Sequence, residues 1–360
     1  MINQIDIDPI YFILLLIIGA FGLTYYMIPK IIKVVNHKEL MEHPNQRSSH
    51  VSLTPTFGGI SFFMVLVFTL MLIYESNTGN LSLKIISALT ILLFTGLKDD
   101  LVVISYKSKL LGQISAITVF LFSTEFYKIN FHGFVGIYEF DVILGFLFVG
   151  FIMLAIINSF NLIDGIDGLS ALIAIIALIF YGIIFYLLGE SFYFNICAVL
   201  SGSLFAFLRF NFSLSKKIFM GDTGSLIIGF VVSILTVKFL TLNSLELNEI
   251  NIIPHNTIFV IISILIFPVF DTLRVIIVRA KSKKHLLLAD KNHIHHLLLD
   301  LGFSHKKSSL IISLSSILFT ILFIYLAMII ENIWIISGVF VISFSLLFGT
   351  FFYLSKNKTE

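Results

Sequence analysis

Residues 169–188 read LSALIAIIALIFYGIIFYLL, a stretch without a charged side chain. A helix rises about 1.5 Å per residue, so these residues can cross the ~30 Å hydrocarbon core of a bilayer. The other apolar stretches of the chain do not show the alternation in ~10-residue segments that is typical of a membrane barrel. The sequence therefore predicts an all-α polytopic integral membrane protein with about eleven transmembrane helices, near residues 10–29, 57–75, 83–97, 110–126, 142–159, 168–188, 191–208, 224–243, 256–278, 309–330 and 333–354.

The composition agrees with a membrane protein. Of the 360 residues, 58% are hydrophobic and 12% are charged, whereas soluble domains have about 25% charged residues. The net charge of +2 argues against a nucleic-acid partner. Cys197 is the single cysteine, which excludes an intrachain disulfide and a cysteine metal cluster. Residues 1–360 are interpreted as one transmembrane domain, whose polar stretch 127–141 is expected to form a small surface hairpin.

Basic residues are concentrated in the segments that would face one side of the membrane. If the N-terminus lies outside, all of the 23 lysines and arginines fall in inner segments except Lys84, Lys128 and Lys238. Cytoplasmic segments of membrane proteins carry an excess of Lys and Arg. The pattern predicts an outside N-terminus, a cytoplasmic C-terminus and cytoplasmic loops near residues 30–56, 98–109, 160–168, 209–223 and 271–308.

Two adjacent carboxylates, Asp99 and Asp100, end the third predicted span. Adjacent positions on a helix point about 100° apart, so the two can have different roles. One could face a metal or a phosphate while the other orients a base. The alternative is a solvated pair that ends a helix.

Three polar side chains, Asn161, Asp164 and Asp167, recur every three residues in the segment 161–168, NLIDGIDG. One helical turn would place them near a common face. Carboxylate and amide oxygens are the ligands that Mg²⁺ prefers, and Mg²⁺ shares its coordination shell with phosphates. The alternative is a polar turn in which an Asp caps a helix.

The segment 220–225, MGDTGS, begins the eighth predicted span. The N-terminus of a helix offers free N–H groups and a positive dipole end, which suit a phosphate. Asp222 could instead bind a cation that bridges to that phosphate, or it could simply cap the helix.

Three histidines, His293, His295 and His296, lie in the long basic inner loop. They could bind zinc, although no cysteine partner exists, or donate hydrogen bonds to sugar or phosphate oxygens. In an earlier inner loop, Arg47 and His50 could contact a phosphate. Pro268 in the ninth predicted span removes one helical hydrogen bond and predicts a kink there.

Together these motifs resemble those of the polyprenyl-phosphate N-acetylhexosamine-1-phosphate transferases, glycosyl transferase family 4. The His-Ile-His-His form is similar to the GlcNAc-1-phosphate branch, whereas the MurNAc-pentapeptide branch carries three successive histidines followed by Phe-Glu. The resemblance covers residues 30–307 and rests on Pro44-Asn45-x-Arg47-x-x-His50, Gly58-Gly59, Asp99-Asp100 followed by Lys107 and Gln113, Asn161-x-x-Asp164-Gly165-x-Asp167-Gly168, Gly221-Asp222-Thr223-Gly224-Ser225, Asp271 and His293-Ile294-His295-His296.

The resemblance implies transfer of a sugar 1-phosphate, GlcNAc-1-phosphate, from a UDP-N-acetylhexosamine to undecaprenyl phosphate. UMP is released, and a cell-surface glycan is initiated. Mg²⁺, with Mn²⁺ as a substitute, would lie at Asn161 and Asp222. A catalytic carboxylate, Asp99 or Asp100, would act as a base toward the lipid phosphate or as a nucleophile in two steps. The implied substrate contacts are Arg47, His50, Lys107, Asp164, Asp167, Asp271, His293, His295 and His296.

The implied location is the bacterial inner membrane, with the active site on the cytoplasmic face. The expected partners are the bilayer, undecaprenyl phosphate, the UDP-sugar and a second copy of the chain in a homodimer.

Three alternatives stay open from the sequence. The first is the same chemistry with another UDP-N-acetylhexosamine donor. An intramembrane prenyltransferase is disfavoured because its aspartates are spaced four residues apart, whereas Asp164 and Asp167 are three apart. A transporter is disfavoured because transporters keep charged residues near the bilayer midplane, often within inverted repeats.

Overall fold

The computed structural model describes residues 9–38, 40, 54–73, 78–122, 124–281 and 293–356. Arg47 and His50, two predicted phosphate contacts, lie outside the described residues. The described helices are α1 Pro9–His37, α2 Gly59–Leu72, α3 Gly79–Leu101, α4 Tyr106–Leu121, α5 Val142–Ile163, α6 Leu169–Leu187, α7 Ser191–Asn211, α8 Gly221–Leu240, α9 Ser244–Glu249, α10 Thr257–Ile264, α11 Ile266–Lys281, α12 Ile294–Asp300, α13 His305–Ile329 and α14 Ile333–Lys356.

The helices confirm an all-α polytopic membrane protein. Each predicted span overlaps a helix, or in one case the pair α10 and α11. Among the described residues, eight helices are long and apolar enough to cross a membrane, and the bent pair would make nine. The two other predicted spans correspond to α2, with 14 residues, and α4, with 16. At about 1.5 Å per residue these are shorter than the hydrocarbon core, so the count of eleven stays a prediction.

The polar stretch between α4 and α5 forms the predicted hairpin. Strands β1 Asn130–Phe134 and β2 Ile137–Glu139 pair antiparallel. His132 ties the hairpin to the end of α8, because its ring nitrogens lie 3.0 Å from the Leu242 carbonyl oxygen and 3.1 Å from Ser244 Oγ.

Helix α8 is the centre of the bundle, because every residue from Thr223 to Leu240 is buried except Lys238. It packs against α2, α3, α5 and α6. Glycines allow α2 and α3 to approach α8 closely. A Cβ added at Gly59 would collide with the backbone of Gly224, and one added at Gly96 would collide with the backbone of Thr223. These contacts bring the polar end of α3 onto the first turn of α8.

Helices α10 and α11 meet at a bend of 74°. The break falls at Leu265, whereas the sequence placed the kink at Pro268, which instead lies in the first turn of α11. A proline is tolerated in that turn because its missing N–H would have no partner there. The hydroxyl of Thr320 in α13 donates to the carbonyl oxygen of Ser263 beside the break, at 2.9 Å.

Candidate active site

The polar ends of α3, α4, α5 and α8 meet at one end of the bundle. Gly221 begins α8 with a φ of +71°. A Cβ there would collide with the Thr56 carbonyl oxygen and would lie 2.7 Å from both carboxylate oxygens of Asp100. Only glycine satisfies both the positive φ and the lack of space. The first glycine of the 220–225 motif therefore has a steric reason.

Asp100 caps the N-terminus of α8. One carboxylate oxygen accepts a hydrogen bond from the Asp222 amide at 2.7 Å. The other accepts from the Thr223 amide at 3.1 Å and from the Thr223 hydroxyl at 2.7 Å. Free N–H groups and the positive dipole end of a helix favour a carboxylate at this position. Asp100 thus fixes the place of Asp222 from a helix distant in sequence.

The Lys109 ammonium lies at the centre of the site. Its Nζ is 3.0 Å from Asp99 Oδ2, 2.8 Å from Asp222 Oδ2 and 2.9 Å from Asn161 Oδ1. Little of it reaches solvent, with 13% of the Lys109 side chain and 11% of the Asp99 side chain exposed, against 31% for Asp222. Buried charges are stable when they are paired and hydrogen-bonded, and here one cation compensates two carboxylates.

The remaining polar atoms of this cluster are also engaged. The Asn161 amide donates to Asp222 Oδ1 at 2.5 Å and to Ser225 Oγ at 2.8 Å. The second oxygen of Asp99 accepts from the Ile104 amide at 2.9 Å. Lys109, Asp99, Asp222 and Asn161 are called the lysine cluster below. All four side chains are held in place by neighbours from separate elements.

The lysine cluster supplies the oxygen types that a hard cation prefers. Two carboxylates and one amide oxygen lie within 3.0 Å of a single point of positive charge, and this donor set suits Mg²⁺. In the described part of the chain, no group of three His, Cys, Asp or Glu residues is arranged to hold a metal ion. The donors therefore fit a magnesium ion only if the amide oxygen is one of them.

The three side chains expected on one face of a turn are separated in the structure. Helix α5 ends at Ile163 and Asp164 is its C-cap, so the helical turn stops before Asp167. Asn161 joins the lysine cluster, whereas Asp167 pairs with Lys217 at 2.7 Å. His305 Nδ1 lies 3.8 Å from the same Asp167 oxygen. The expectation of a common face was wrong because the glycines turn the chain.

Residues His293–His296, called the histidine segment below, are attached to α11 by a buried carboxylate. Asp271 Oδ2 lies 2.7 Å from His293 Nδ1, and Asp271 Oδ1 accepts from the Ile294 amide at 3.1 Å. Asp271 and His293 are both buried, and Arg274 Nε lies 3.6 Å from the carboxylate. Asp271 therefore positions the first turn of α12.

The His295 ring packs on the turn between α5 and α6. A Cβ at Gly165 would lie 2.5 Å from His295 Nε2. The ring is buried, and neither of its nitrogens has a hydrogen-bond partner among the described residues. Burial, with smaller contributions from His296, His293 and His305, holds the pKa of His295 well below its usual value. The imidazole is neutral at pH 7, with one donor and one acceptor nitrogen.

Lys109, and not the predicted substrate contact Lys107, lies in the cluster. Lys107 is exposed on α4, whereas only 13% of the Lys109 side chain is exposed. Two positions two residues apart on a helix point about 200° apart, so only one lysine of the pair can face the site. Sequence reasoning missed Lys109. The signal that could have found it is the spacing of four residues between Lys109 and the buried Gln113, which places both on one face of α4.

Fold and site together define a polytopic α-helical membrane protein with a cluster of charged and polar side chains where the ends of four helices meet. Residues 82–240 match the family model of glycosyl transferase family 4. A Bacillus subtilis (strain 168) relative, "Probable undecaprenyl-phosphate N-acetylglucosaminyl 1-phosphate transferase", is 32% identical over 308 residues, which are 83% of this chain and 81% of the relative. The chain belongs to glycosyl transferase family 4.

Two further relatives are named undecaprenyl-phosphate alpha-N-acetylglucosaminyl 1-phosphate transferase. The Yersinia pestis protein is 28% identical over 343 residues, covering 93% of this chain and 89% of the relative. The Escherichia coli (strain K12) protein is 27% identical over 290 residues, covering 79% and 76%. The similarity extends well beyond the part of the chain that matches the family model.

Proposed function

We propose that this protein transfers N-acetylglucosamine 1-phosphate from UDP-N-acetylglucosamine to undecaprenyl phosphate. The products are undecaprenyl-diphosphate N-acetylglucosamine, which starts a cell-surface glycan, and UMP. The names of the relatives support the acceptor and the transferred group. The observation that carries the chemistry is the lysine cluster, where a buried ammonium meets two carboxylates at the first turn of a helix. Such a site suits phosphoryl transfer, which depends on positioning and charge compensation.

The reaction needs an oxygen of the lipid phosphate to attack the sugar-bearing phosphorus while the bond to UMP breaks. In this proposal, Asp99 receives the proton carried by the lipid phosphate. One Asp99 oxygen accepts from the Ile104 amide and the other faces the Lys109 ammonium, so the second oxygen would become available for a proton when that ammonium turns to the substrate. Asp100 positions Asp222, because its two oxygens are occupied by the α8 terminus.

Lys109 has two functions in the proposal. Without substrate, its ammonium compensates the adjacent charges of Asp99 and Asp222. With substrate, the same ammonium stabilises the negative charge that develops on the transferred phosphoryl group. Asn161 and Asp222 would hold Mg²⁺, with Mn²⁺ as a substitute. The ion, when bound, would neutralise charge on the leaving group.

The histidine segment is proposed to recognise the donor. His295 is neutral and lies on Gly165, so it can offer a hydrogen bond to a hydroxyl or an N-acetyl group without adding charge. Asp271 holds His293 and the first turn of α12. The turn between α5 and α6 therefore brings donor recognition next to Asn161 of the lysine cluster.

We also propose that eleven segments cross the inner membrane, including the short α2 and α4, with the N-terminus outside and the lysine cluster at the cytoplasmic face. The basic residues support this orientation. A reporter fused after residue 358 should report cytoplasm, and one inserted at Asn248 should report the outer side. Both reporters on one side would contradict the orientation. Formation of a homodimer stays a prediction.

The function is tested with purified protein, undecaprenyl phosphate and a panel of UDP-sugars, read by UMP release. UDP-N-acetylglucosamine should give UMP only when the lipid phosphate is present. Asp222→Asn should abolish release, while Lys216→Gln, an exposed lysine of the α7–α8 loop, should leave it unchanged. Release of UMP without the lipid, or a preference for another N-acetylhexosamine donor, would contradict the proposal in its reaction or in its donor.

A further inference from the structure

A groove of about 650 Å³ opens on the outside of the bundle between α1, α7 and the start of α13. None of the residues that line it belongs to the lysine cluster or to the histidine segment. Its walls are mostly aromatic, formed by Phe21 and Tyr25 of α1, by Phe205 and Leu208 of α7 and by Phe212, which directly follows α7. Phe21, Tyr25 and Phe205 are exposed on this outer face, where a membrane-spanning bundle meets lipid.

The groove is preformed because α1 and α7 are fixed against each other. A Cβ at Gly202 of α7 would lie 2.6 Å from the Ile17 carbonyl oxygen of α1, so the two backbones touch. Thr24 and Ser203 hydroxyls hydrogen-bond at 2.6 Å across the same interface. The ring of Tyr25 packs 5.1 Å from that of Phe210. The walls cannot close without breaking these contacts.

One end of the groove is cationic. Arg209 in the last turn of α7 and Lys306 in the first turn of α13 both line it. Lys306 Nζ lies 5.6 Å from the Phe212 ring centre. Within the part of the chain that the structure describes, neither cation is paired with a carboxylate, and the first turn of α13 contains no acidic residue. Lys306 lies at the positive end of the α13 dipole, where a cation is unfavourable unless an anion compensates it, whereas Arg209 lies at the favourable end of α7.

An aromatic wall with a cationic end matches an amphiphile with one negative headgroup. From Phe205 to Phe212 the wall follows α7 for about 10 Å, enough for the first part of a hydrocarbon chain. Basic residues at the membrane surface bind anionic lipid headgroups, and basic pockets between helices do so specifically. We propose that this groove binds an anionic glycerophospholipid of the surrounding bilayer, with its phosphate between Arg209 and Lys306 and a chain along the aromatic wall.

The occupant is a bilayer lipid and not the polyprenyl acceptor, because the acceptor phosphate must reach the donor at the lysine cluster. That cluster is built on α3, α4, α5 and α8, whereas the groove is built on α1, α7 and α13. The groove is nevertheless coupled to the core of the bundle. A Cβ at Gly168, which precedes α6, would collide with the Phe212 ring, so Phe212 contacts both the groove and the start of α6.

The test uses lipid nanodiscs of phosphatidylcholine with a varied fraction of phosphatidylglycerol whose chains are brominated. In a Trp334→Phe background, which removes the single native tryptophan, Phe205→Trp places a fluorescent reporter in the groove. Phe94→Trp places the control reporter on the exposed side of α3. Quenching of the groove reporter should saturate at a lower phosphatidylglycerol fraction than quenching of the control.

The cations are tested in the same assay. The double variant Arg209→Gln, Lys306→Gln should weaken phosphatidylglycerol binding about thirtyfold, the effect expected for two basic residues beside anionic lipid. The matched variant Lys33→Gln, Lys216→Gln removes two exposed cations elsewhere and should bind normally. Thermal unfolding in detergent gives a second readout: added phosphatidylglycerol should raise the Tm of the wild type and of the matched variant, but not that of the groove variant.

Three results would overturn the proposal. Equal quenching by brominated phosphatidylcholine would show that the groove takes lipid without regard to charge. Displacement of phosphatidylglycerol by undecaprenyl phosphate, with a raised KM for that acceptor in the groove variant, would assign the groove to the acceptor. A reporter shielded from both lipids, together with dissociation of an oligomer in the groove variant, would assign it to a second copy of the chain.

Discussion

Replacing Asp100 by asparagine tests whether Asp100 has a structural role, while Asp99 has the chemical role. Asp100 accepts three hydrogen bonds, from the Asp222 amide, the Thr223 amide and the Thr223 hydroxyl. Asparagine keeps one acceptor oxygen and turns a nitrogen toward Thr223. The Thr223 hydroxyl can rotate to accept from that nitrogen, but the Thr223 amide cannot, so one backbone donor loses its partner.

The expected cost follows from these contacts. A buried donor left without a partner costs about 1–3 kcal/mol. Loss of the negative charge at the helix N-terminus costs about 0.3–1 kcal/mol more. Asp100→Asn should therefore lower the free energy of unfolding by about 3 kcal/mol. In Asp99→Asn the Ile104 amide keeps an acceptor oxygen, and Lys109 keeps its ion pair with Asp222 at 2.8 Å. The loss should therefore be smaller, about 1 kcal/mol.

Chemical denaturation in detergent, followed by circular dichroism, measures the stability of both variants, and UMP release measures turnover. Asp99→Asn should lower turnover roughly 10²-fold or more, the contribution typical of a general base, with little change in stability. Thr223→Val, which removes only the hydroxyl donor, should cost about 1 kcal/mol and keep turnover. If Asp100→Asn unfolds at the wild-type midpoint yet loses turnover, Asp100 takes part in the chemistry and the capping argument is refuted.

Three further outcomes test the site and the packing. Lys109→Met should lower turnover by about 10²-fold or more because it removes charge stabilisation at the site, whereas Lys107→Met should change UMP release little; equal effects would contradict the central place of the buried lysine. Gly165→Ala should raise the KM for the UDP-sugar more than it lowers kcat, because the added methyl group would lie 2.5 Å from the His295 ring. Steady-state kinetics with each substrate varied in turn measures this, and an unchanged KM for the donor would show that His295 does not touch the donor. Gly59→Ala should lower the free energy of unfolding by about 1–3 kcal/mol through overpacking. Gly22→Ala, with open space around the added methyl group, should cause no loss of stability, because alanine has the higher helix propensity. Similar losses in both variants would show that the approach of α2 to α8 does not set the cost.

The long helices could be predicted because each corresponds to a local run of apolar residues, whereas the short helices α9 and α12 were not predicted. Residues 169–188 have no charged side chain, and α6 occupies Leu169–Leu187. The bend between α10 and α11 could not be placed as well, since Pro268 fits the first turn of α11 without breaking it. Beside the break, the Ser263 carbonyl oxygen lies 2.9 Å from the Thr320 hydroxyl of α13, a contact between residues far apart in the chain.

The site was predictable as a set of motifs but not as a set of contacts. Asp99, Asn161 and Asp222 do meet, as polar residues at the ends of buried helices are expected to. The cap formed by Asp100 joins residues 122 positions apart, and no local pattern marks it. Lys109 was missed because two lysines share one helix turn, and only packing decides which of them is buried. The chemical roles of these residues stay predictions.

The bend at Leu265 has a mechanical consequence. At one end of α10, the Thr320 hydroxyl of α13 lies 2.9 Å from the Ser263 carbonyl oxygen, within hydrogen-bond distance. At the other end, the Asn256 amide donates to the Ile330 carbonyl at 2.7 Å. Helix α10 therefore contacts α13 through hydrogen-bonding groups at both of its ends, and one of these contacts lies beside its junction with α11. Asp271 lies on α11, beyond the bend, and it holds His293 and the first turn of α12. The bend inside the apolar interior therefore sets the direction in which α11 carries this polar part of the protein.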